Sequence, residues 1–297
     1  MKIIFLGTAA MQPTKDRSLF SIILNYNEES IMIDCGEGTQ RQMKIAGLKP
    51  TKLTKILISH MHGDHLFGLP GLMQYLRAND YQKTLEIYGP SKLKDFLSCV
   101  IKTGTIEENI KYNINEIKEG IIYSGKDFSI KALKLDHTGI CYGFQFIEHD
   151  KRKIDLSYLK KFGLKQHPIL KNLQQGKDII WDGKKISANK ATKLIKGKKI
   201  AFILDTKLCK NCYELAKDSD VLISEATYLD ELKDRAELYK HMTVKQVAEI
   251  AKKANIQKLI LTHFSQRYKD TKELENEAKK YFKKQVICAK DFLEIEI

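Results

Sequence analysis

The chain has 297 residues, of which 43% are hydrophobic and 30% charged, so it is long and apolar enough to bury a large core. It contains no apolar run of the about 18 residues that a membrane-spanning helix needs, and the start MKIIFLGTAAMQ turns polar too early for a signal peptide. Six scattered cysteines do not form the framework of a disulfide-rich domain, which favours a reducing, cytoplasmic environment.

Short apolar runs alternate with helical patterns along the chain, which predicts an α/β fold. The runs typical of buried strands are 2–6, 21–25, 55–59, 200–204, 221–224 and 258–262. Helical periodicity marks 39–46, 70–77, 91–101 and 243–254. The last helix is the best defined, because Thr243 and Gln246 have capping-box spacing in front of its apolar face.

Positive charge is concentrated in one segment. The net charge of the chain is +14, and residues 148–200 contribute +10 of it, from fifteen Lys/Arg against five Asp/Glu. Glycines and a proline interrupt this segment, which has one short helical pattern near 155–161 and lies between strands that end near Phe146 and begin near Ile200. Such an excess suits a polyanion, nucleic acid before a membrane surface; a solvated face of a lysine-rich protein is the alternative.

Four buried-type runs end in residues capable of chemistry. The run ILIS leads to His60, AFIL to Asp205, VLIS to Glu225 and LILT to His263. Open α/β sheets gather their functional sites at the carboxyl ends of strands, where loops converge over a rigid support. The four endings therefore predict one shared site.

The stretch SHMHGDH indicates a metal centre, because neutral imidazoles and carboxylates are the usual ligands of Zn²⁺ and similar ions. Gly63 inside it is expected to permit a turn. With later candidates the set has seven members: His60, His62, Asp64, His65, His137, Asp205 and His263. Seven ligands are too many for one tetrahedral ion, so we expect two ions. The first is assigned His60, His62 and His137, the second Asp64, His65 and His263, and Asp205 bridges them. His149 and His167 have no ligand-like company.

Cys209 and Cys212 form a lone CxxC motif without a second cysteine pair or a suitable histidine. A structural zinc site or a redox-active pair is one interpretation. Two incidental thiols are the other.

The HxHxDH cluster, followed by a His, an Asp and a His, resembles the metallo-β-lactamase superfamily. Three finer motifs resemble the tRNase Z family: PTKDR with Pro13, Lys15 and Arg17; EAT at 225–227; and HFSQRY at 263–268. The resemblance covers nearly the whole chain. It implies a four-layer αβ/βα metallo-β-lactamase sandwich over 1–297, into which residues 149–197 are inserted as a basic, tRNA-binding arm.

The resemblance also implies a function. The expected activity is that of a zinc-dependent endoribonuclease that removes the 3′ trailer from precursor tRNA just after the discriminator base and leaves a 3′-hydroxyl. The expected cofactors are two Zn²⁺ per subunit, for which Mn²⁺ or Fe²⁺ could substitute. The expected protein is a cytoplasmic homodimer that does not bind a membrane. The arm of one subunit would hold a tRNA whose 3′ end enters the active site of the other.

Residue roles follow from the same resemblance. Asp64 is expected to orient the attacking hydroxide, and His241 to give a proton to the leaving ribose oxygen while Glu225 holds its tautomer. The expected phosphate contacts are Ser265 and Arg267, and Lys15 and Arg17 are expected near the 3′ end of the tRNA. The alternative for His241, Lys15 and Arg17 is an ordinary exposed loop.

Three positions depart from the family pattern. The arm reads QHP at 166–168 where many relatives have a Gly-Pro element, Ser224 replaces a histidine that is not a ligand, and Leu204 replaces a small residue. None of these changes removes a proposed ligand. Two rival functions remain open: a hydrolase of small phosphodiesters or thioesters on the same scaffold, and a catalytically silent nucleic-acid-binding relative.

Overall fold

The structure is a computed structural model that describes residues 1–104 and 110–297. It consists of two compact units, each with its own packing. Unit 1 comprises residues 1–123, 130–146 and 199–297, and unit 2 comprises residues 124–129 and 147–198.

Unit 1 contains a first sheet of seven strands in the order β18-β1-β2-β3-β4-β5-β6. Its strands are β1 Lys2–Gly7, β2 Ser21–Tyr26, β3 Glu29–Ile33, β4 Lys55–Leu57, β5 Leu85–Gly89, β6 Tyr112–Glu116 and β18 Glu294–Glu296. The strands β18, β1, β2 and β3 pair antiparallel, whereas β3 to β6 pair parallel. The runs are rich in isoleucine and leucine and buried along most of their length, as expected for a sheet covered on both faces.

A second seven-stranded sheet has the order β17-β16-β15-β14-β9-β8-β7. Its strands are β7 Gly120–Ser124, β8 Phe128–His137, β9 Gly139–Glu148, β14 Lys199–Ile203, β15 Val221–Glu225, β16 Lys258–Thr262 and β17 Gln285–Cys288. The last four of these are parallel to one another, so their carboxyl ends meet at one edge.

The helices of unit 1 connect these strands. They are α1 Thr39–Ile45, α2 Gly63–Leu66, α3 Gly68–Ala78, α4 Lys92–Lys102, α8 Lys210–Ala216, α9 Lys233–Leu238, α10 Val244–Lys253 and α11 Lys272–Tyr281, with 3₁₀ turns at Pro50–Lys52 and Asp230–Leu232. Every predicted helix and strand is present to within a few residues. Among the described residues, no helix is long and apolar enough to cross a bilayer.

The two sheets of unit 1 face each other, and helices cover their outer faces. Leu24 and Ile31 of the first sheet share a small apolar gap with Phe144 and Phe202 of the second. The outer face of the first sheet packs against α1, α3 and α4, and that of the second against α8, α10 and α11. The succession of helices, sheet, sheet and helices confirms the predicted four-layer α/β sandwich.

One predicted strand is shorter than its apolar run. The pattern extends over 55–59, but β4 ends at Leu57. Ser59 leaves the ladder because its backbone N–H donates to the Asp34 carboxylate, at 2.7 Å, instead of to a neighbouring strand. The diversion to a side-chain acceptor opens the loop that carries His60.

Unit 2 is the basic segment, and it has its own hydrophobic core. Its elements are β10 Lys151–Ile154, α5 Leu156–Lys160, α6 Leu170–Gln174, β11 Ile179–Trp181, β12 Lys184–Ile186, α7 Ala188–Ala191 and β13 Thr192–Ile195. β10 pairs with β13 and β11 with β12, both antiparallel, around buried Leu159, Leu173 and Ile186. The chain leaves and returns at one point, since the Glu148 N–H donates to the Lys198 carbonyl at 2.9 Å.

Helix α10 provides a stability test of the capping box. Thr243 Oγ1 accepts from the Gln246 N–H and donates to Asp230, and the Gln246 side chain accepts from the Thr243 N–H. Thr243→Ala should lower the free energy of unfolding by about 1–2 kcal/mol, measured by urea denaturation. Thr271→Ala is the matched control, because Thr271 caps α11 without a side-chain hydrogen bond. Equal losses in the two variants would contradict the capping role.

Candidate metal centre

The seven predicted ligands come from separate elements of unit 1 and meet in one place. His60 and His62 lie in the loop after β4, and Asp64 and His65 lie in the short helix α2. The other three sit at or just beyond strand ends: His137 ends β8, and Asp205 and His263 follow β14 and β16. Their candidate ligand atoms form two clusters, one of His60, His62 and His137 and the other of Asp64, His65, Asp205 and His263.

Asp205 lies between the two clusters and turns one oxygen towards each. Its Oδ2 is 3.9 Å from His60 Nε2 and 3.8 Å from His137 Nε2. Its Oδ1 is 3.5 Å from His65 Nε2 and 3.1 Å from His263 Nε2. Asp205 is therefore close to the candidate ligand atoms of both clusters.

The donor set fits metal ions better than it fits hydrogen bonding. His60 Nε2 is buried and has no hydrogen-bond partner in the part of the chain that the structure describes, and buried Asp205 Oδ1 makes no well-aligned hydrogen bond there although His263 Nε2 is 3.1 Å away. Leaving such groups unsatisfied costs about 1–3 kcal/mol each, so an ion at their meeting point removes a penalty. Imidazole nitrogens and carboxylate oxygens are also the ligands that zinc and similar ions prefer.

The charges point the same way. Burial alone lowers the pKa of His65, but the carboxylates of Asp205, Asp64 and Asp34 raise it well above its ordinary value. Burial likewise raises the pKa of Asp64, and His65 together with hydrogen bonding to His263 lowers it well below the ordinary range. Several carboxylates close to one imidazole repel one another, and a positive charge at this point would stabilise them.

Asp34 supports the cluster and was not among the site residues predicted from the sequence. Its Oδ2 is 2.6 Å from His65 Nδ1 and accepts from the Ser59 hydroxyl at 2.7 Å. The bond fixes the ring of His65 with Nε2 towards the cluster, as carboxylates commonly do for metal-binding histidines. A signal was available, because Asp34 follows buried strand β3 just as Asp205 follows β14.

A backbone carbonyl holds His137 in the same way. His137 Nδ1 donates to the Lys240 carbonyl at 3.0 Å, which leaves Nε2 to face Asp205. Lys240 has a positive φ of 54°, and its ammonium pairs with Asp136 at 2.9 Å. The loop that carries Lys240 is thereby fixed directly before His241.

Glu225 and His241 form a pair beside the cluster. His241 Nδ1 lies 3.0 Å from Glu225 Oε1, and the ring centroids of His241 and His137 are 5.2 Å apart. Burial lowers the pKa of His241, but the charge of Glu225 and the hydrogen bond to it raise the pKa to about 9. Glu225 is itself fixed by the Thr206 N–H and the Thr227 hydroxyl. The pair therefore favours the protonated form of His241, and the ring lies beside those of the ligand candidates His137 and His263.

The remaining predicted site residues divide into exposed and buried ones. Arg267 and Lys15 are exposed, and Arg267 Nε donates to Ser265 Oγ at 3.1 Å. Arg17 is buried, and its Nη2 donates to the carbonyls of Ser265 and Tyr268 at 3.3 and 2.6 Å. Arg17 thus ties the loop after His263 to the start of the chain.

The glycine at position 63 is explained by limited space and not by the expected turn. Its φ is not positive, but a Cβ on Gly63 would lie 2.5 Å from the ring of Phe67. A side chain at Gly63 would therefore require the exposed ring of Phe67 to move.

The fold and the site define this protein as a metal-dependent hydrolase of the metallo-β-lactamase fold. Among solved structures it is similar to human tRNase Z, short form, at a TM-score of 0.72 and 28% identity over 100% of this chain and 99% of that one. It is also similar to the metallo-β-lactamase fold protein YhfI of Bacillus subtilis, at a TM-score of 0.72 and 19% identity over 100% and 99% of the two chains. The second likeness concerns the fold alone.

Sequence comparison gives the family. Ribonuclease Z of Nitrosopumilus maritimus is 37% identical over 100% of both chains, and that of Bacillus cereus strain B4264 is 37% identical over 95% of both. A family profile described as Anti-Pycsar protein Apyc1 matches residues 1–183. The chain belongs to the family of that profile and, by its full-length relatives, to the ribonuclease Z family of metal-dependent endoribonucleases, which confirms the resemblance of its motifs.

Asp34→Asn tests the support of the centre. Loss of the carboxylate that orients His65 should weaken divalent-metal binding by about 10–100-fold, measured by competition with a chelator. Asp95→Asn, at an exposed position on α4, is the control and should leave metal affinity unchanged. Wild-type affinity in a folded Asp34→Asn protein would contradict the assigned role.

Proposed function

We propose that this member of the ribonuclease Z family removes the 3′ trailer from precursor tRNA by hydrolysing the phosphodiester just after the discriminator base, leaving a 3′-hydroxyl on the tRNA. The observation that carries the proposal is the hydrogen bond that holds His241 against Glu225 beside the candidate metal ligands. An acid beside a pair of metal sites is what an RNA phosphodiester with an alkoxide leaving group requires.

We assign two zinc ions per subunit, with Mn²⁺ or Fe²⁺ as possible substitutes. His60, His62 and His137 would hold one, Asp64, His65 and His263 the other, and Asp205 both; the two clusters and the position of Asp205 support this division. When bound, such ions polarise the scissile phosphate and activate the attacking water.

Asp64 is assigned to orient the attacking water. Its Oδ2 accepts a hydrogen bond from the Met11 N–H at 2.8 Å and lies 3.3 Å from His65 Nε2. These contacts fix the orientation of the carboxylate. The low pKa of Asp64 keeps it ionised and able to accept a hydrogen bond at all pH values of interest.

His241 is assigned as the general acid. Glu225 occupies its Nδ1, so Nε2 carries the proton that the leaving 3′ oxygen of the ribose must receive. Thr227 links the acid to the cluster, because its hydroxyl donates to Glu225 and lies 3.3 Å from His263 Nδ1.

Ser265, Arg267 and Lys15 are assigned to substrate phosphates. Arg267 is exposed, follows the candidate ligand His263 by four residues, and can grip two phosphate oxygens with its planar guanidinium. Arg17 was expected, with Lys15, near the 3′ end of the tRNA, but its buried hydrogen bonds to the carbonyls of Ser265 and Tyr268 favour an indirect role, in which it holds the loop that presents Ser265 and Arg267.

We assign tRNA binding away from the cut to the inserted arm, residues 149–197, within one metallo-β-lactamase-type domain of residues 1–297. Its excess of lysines and arginines and its own core support a preformed, phosphate-binding module. Phosphate contacts position a substrate without reading sequence, so the shape of the tRNA would be recognised.

A cytoplasmic homodimer is part of the same proposal. None of the six cysteines, all of which lie in the described ranges, is in a disulfide, which supports a reducing compartment. Ile45 on α1 and Phe67 after α2 are large apolar side chains that are 52% and 60% exposed, and a partner subunit would cover them. Sedimentation equilibrium at micromolar concentration should give twice the chain mass.

Incubation with a precursor tRNA that carries a 3′ trailer tests the activity. We expect one cut after the discriminator base in the presence of Zn²⁺ or Mn²⁺ and none after removal of the metal by a chelator. Mapping the ends at nucleotide resolution provides the measurement. A metal-loaded protein that leaves the precursor intact but hydrolyses a small chromogenic diester would favour the rival small-substrate function.

Replacement of His241 tests the general acid. His241→Ala should slow cleavage by about 10²–10⁴-fold while metal content is unchanged. A substrate with sulfur in place of the leaving 3′ oxygen needs no proton, so the variant should cleave it almost as fast as the wild type does. Equal slowing on both substrates would assign His241 a different role.

The pairing of His241 with Glu225 predicts how the cleavage rate changes at alkaline pH. Glu225 raises the pKa of His241, so the rate that depends on protonated His241 is lost as pH rises through this raised value. Glu225→Gln should therefore move the alkaline limb of the pH–rate profile to lower pH. An unshifted limb would contradict the pairing.

Deletion of residues 150–197 tests the arm. The hydrogen bond between Glu148 and Lys198 shows that a short linker can join the cut ends. We expect loss of precursor-tRNA cleavage together with unchanged hydrolysis of a small phosphodiester. Cleavage of tRNA at the wild-type rate, with the same salt dependence, would contradict the role of the arm.

A further inference from the structure

Cys209 and Cys212 lie close enough to react with each other. Their Sγ atoms are 3.5 Å apart, where α8 begins. The metal centre does not use them, and the proposed cleavage of RNA gives them no role. Their proximity is a property of the folded chain that the CxxC spacing alone left undecided.

The two thiols differ in exposure and in acidity. Cys209 is partly exposed, whereas Cys212 is buried. The hydrogen bond from the Cys212 thiol, with those from the backbone N–H groups of Cys212 and Asn211, outweighs burial and lowers the pKa of Cys209 to about 5. The same hydrogen bond, together with burial, raises the pKa of Cys212 far above its ordinary value. An accessible thiolate beside a buried thiol is the arrangement of a nucleophile and its resolving partner.

The zinc interpretation of the CxxC motif finds no support. A structural zinc site needs four ligands, usually cysteines and histidines. Within residues 1–104 and 110–297, none of the side-chain groups that could hold a metal ion includes Cys209 or Cys212. The remaining alternatives are two inert thiols and a redox-active pair.

We propose that Cys209 and Cys212 form a redox-active dithiol that is converted to an intramolecular disulfide by small-molecule disulfides of the glutathione class. The Cys209 thiolate attacks one sulfur of the disulfide, breaks its S–S bond and releases one thiolate. Cys212 then loses its proton and attacks Cys209 Sγ, forming the protein disulfide and releasing the second thiolate. The two protein sulfurs are oxidised, and the small disulfide takes up the two electrons as two thiols.

The pair lies next to residues that support the metal centre. Cys209 Sγ is 3.9 Å from Thr206 Oγ1, and Thr206 follows the bridging Asp205 and donates its N–H to Glu225 at 2.8 Å. A disulfide would remove the Cys212-to-Cys209 hydrogen bond at this point. The thiol chemistry itself does not depend on the RNA substrate, so it can be tested separately from cleavage.

The other cysteines set the background of the experiment. Cys35 and Cys141 are buried, and burial raises the pKa of each thiol above its ordinary value. Burial raises the pKa of Cys288 to about 12. Cys99 is exposed and would react on its own. Cys99→Ser is therefore the reference protein.

The test uses the metal-loaded full chain with Cys99→Ser, treated with glutathione disulfide at neutral pH and digested with trypsin. Lys210 separates the two cysteines, so the disulfide appears as peptide 208–210 joined to peptide 211–217, and a thiol reductant separates them. Adding Cys212→Ser should trap glutathione on Cys209. Adding Cys209→Ser should leave Cys212 unmodified, because the buried thiol is not the attacking group.

A comparison with Cys99 in the wild-type chain measures the thiolate. At pH 6, Cys209 should react with iodoacetamide about ten-fold faster than Cys99, because an ordinary thiol is protonated there. Absence of the linked peptides from the folded reference protein would overturn the proposal. So would a folded Cys212→Ser protein that carries no glutathione on Cys209.

Discussion

The structure depends on one buried carboxylate. Asp205 follows β14 and turns one oxygen towards His60 and His137 and the other towards His65 and His263. A buried charge of this kind is unfavourable unless cations surround it, and one of its oxygens has no hydrogen-bond partner among the described residues. The fold places the negative charge of Asp205 where water is excluded. This buried charge favours both the surrounding histidines and the binding of metal cations.

Hydrogen bonds that continue outwards from this point give each group one orientation. Asp34 fixes His65, the Lys240 carbonyl fixes His137, and Glu225 fixes His241. The partners of these groups come from distant parts of the chain, so the centre requires both sheets to be formed. Fixed tautomers suit the proposed chemistry, in which a metal ligand presents a lone pair and the general acid presents a proton.

Charge is distributed unevenly between the two units. Unit 1 contains the buried carboxylates and the imidazoles, and unit 2 contains most of the net positive charge around a small apolar core. A polyanionic substrate is attracted to an exposed basic surface over a distance of about 10 Å at moderate ionic strength. In the proposed function, cleavage depends on the short-range, directional interactions of the metal centre, whereas substrate binding by the arm depends on this non-specific attraction.

Local patterns in the sequence were enough to predict the α/β class, the helix capped by Thr243, the basic segment and the seven ligand candidates, because periodicity, capping and strand endings are local properties. The folded chain was needed to show that Asp34 supports His65, that Arg17 is buried against the carbonyls of Ser265 and Tyr268, and that β4 stops at Leu57. It was also needed to show that the two CxxC sulfurs lie in contact. Each of these features is a hydrogen bond or contact whose geometry depends on how the chain folds, and a one-dimensional pattern does not contain that distance.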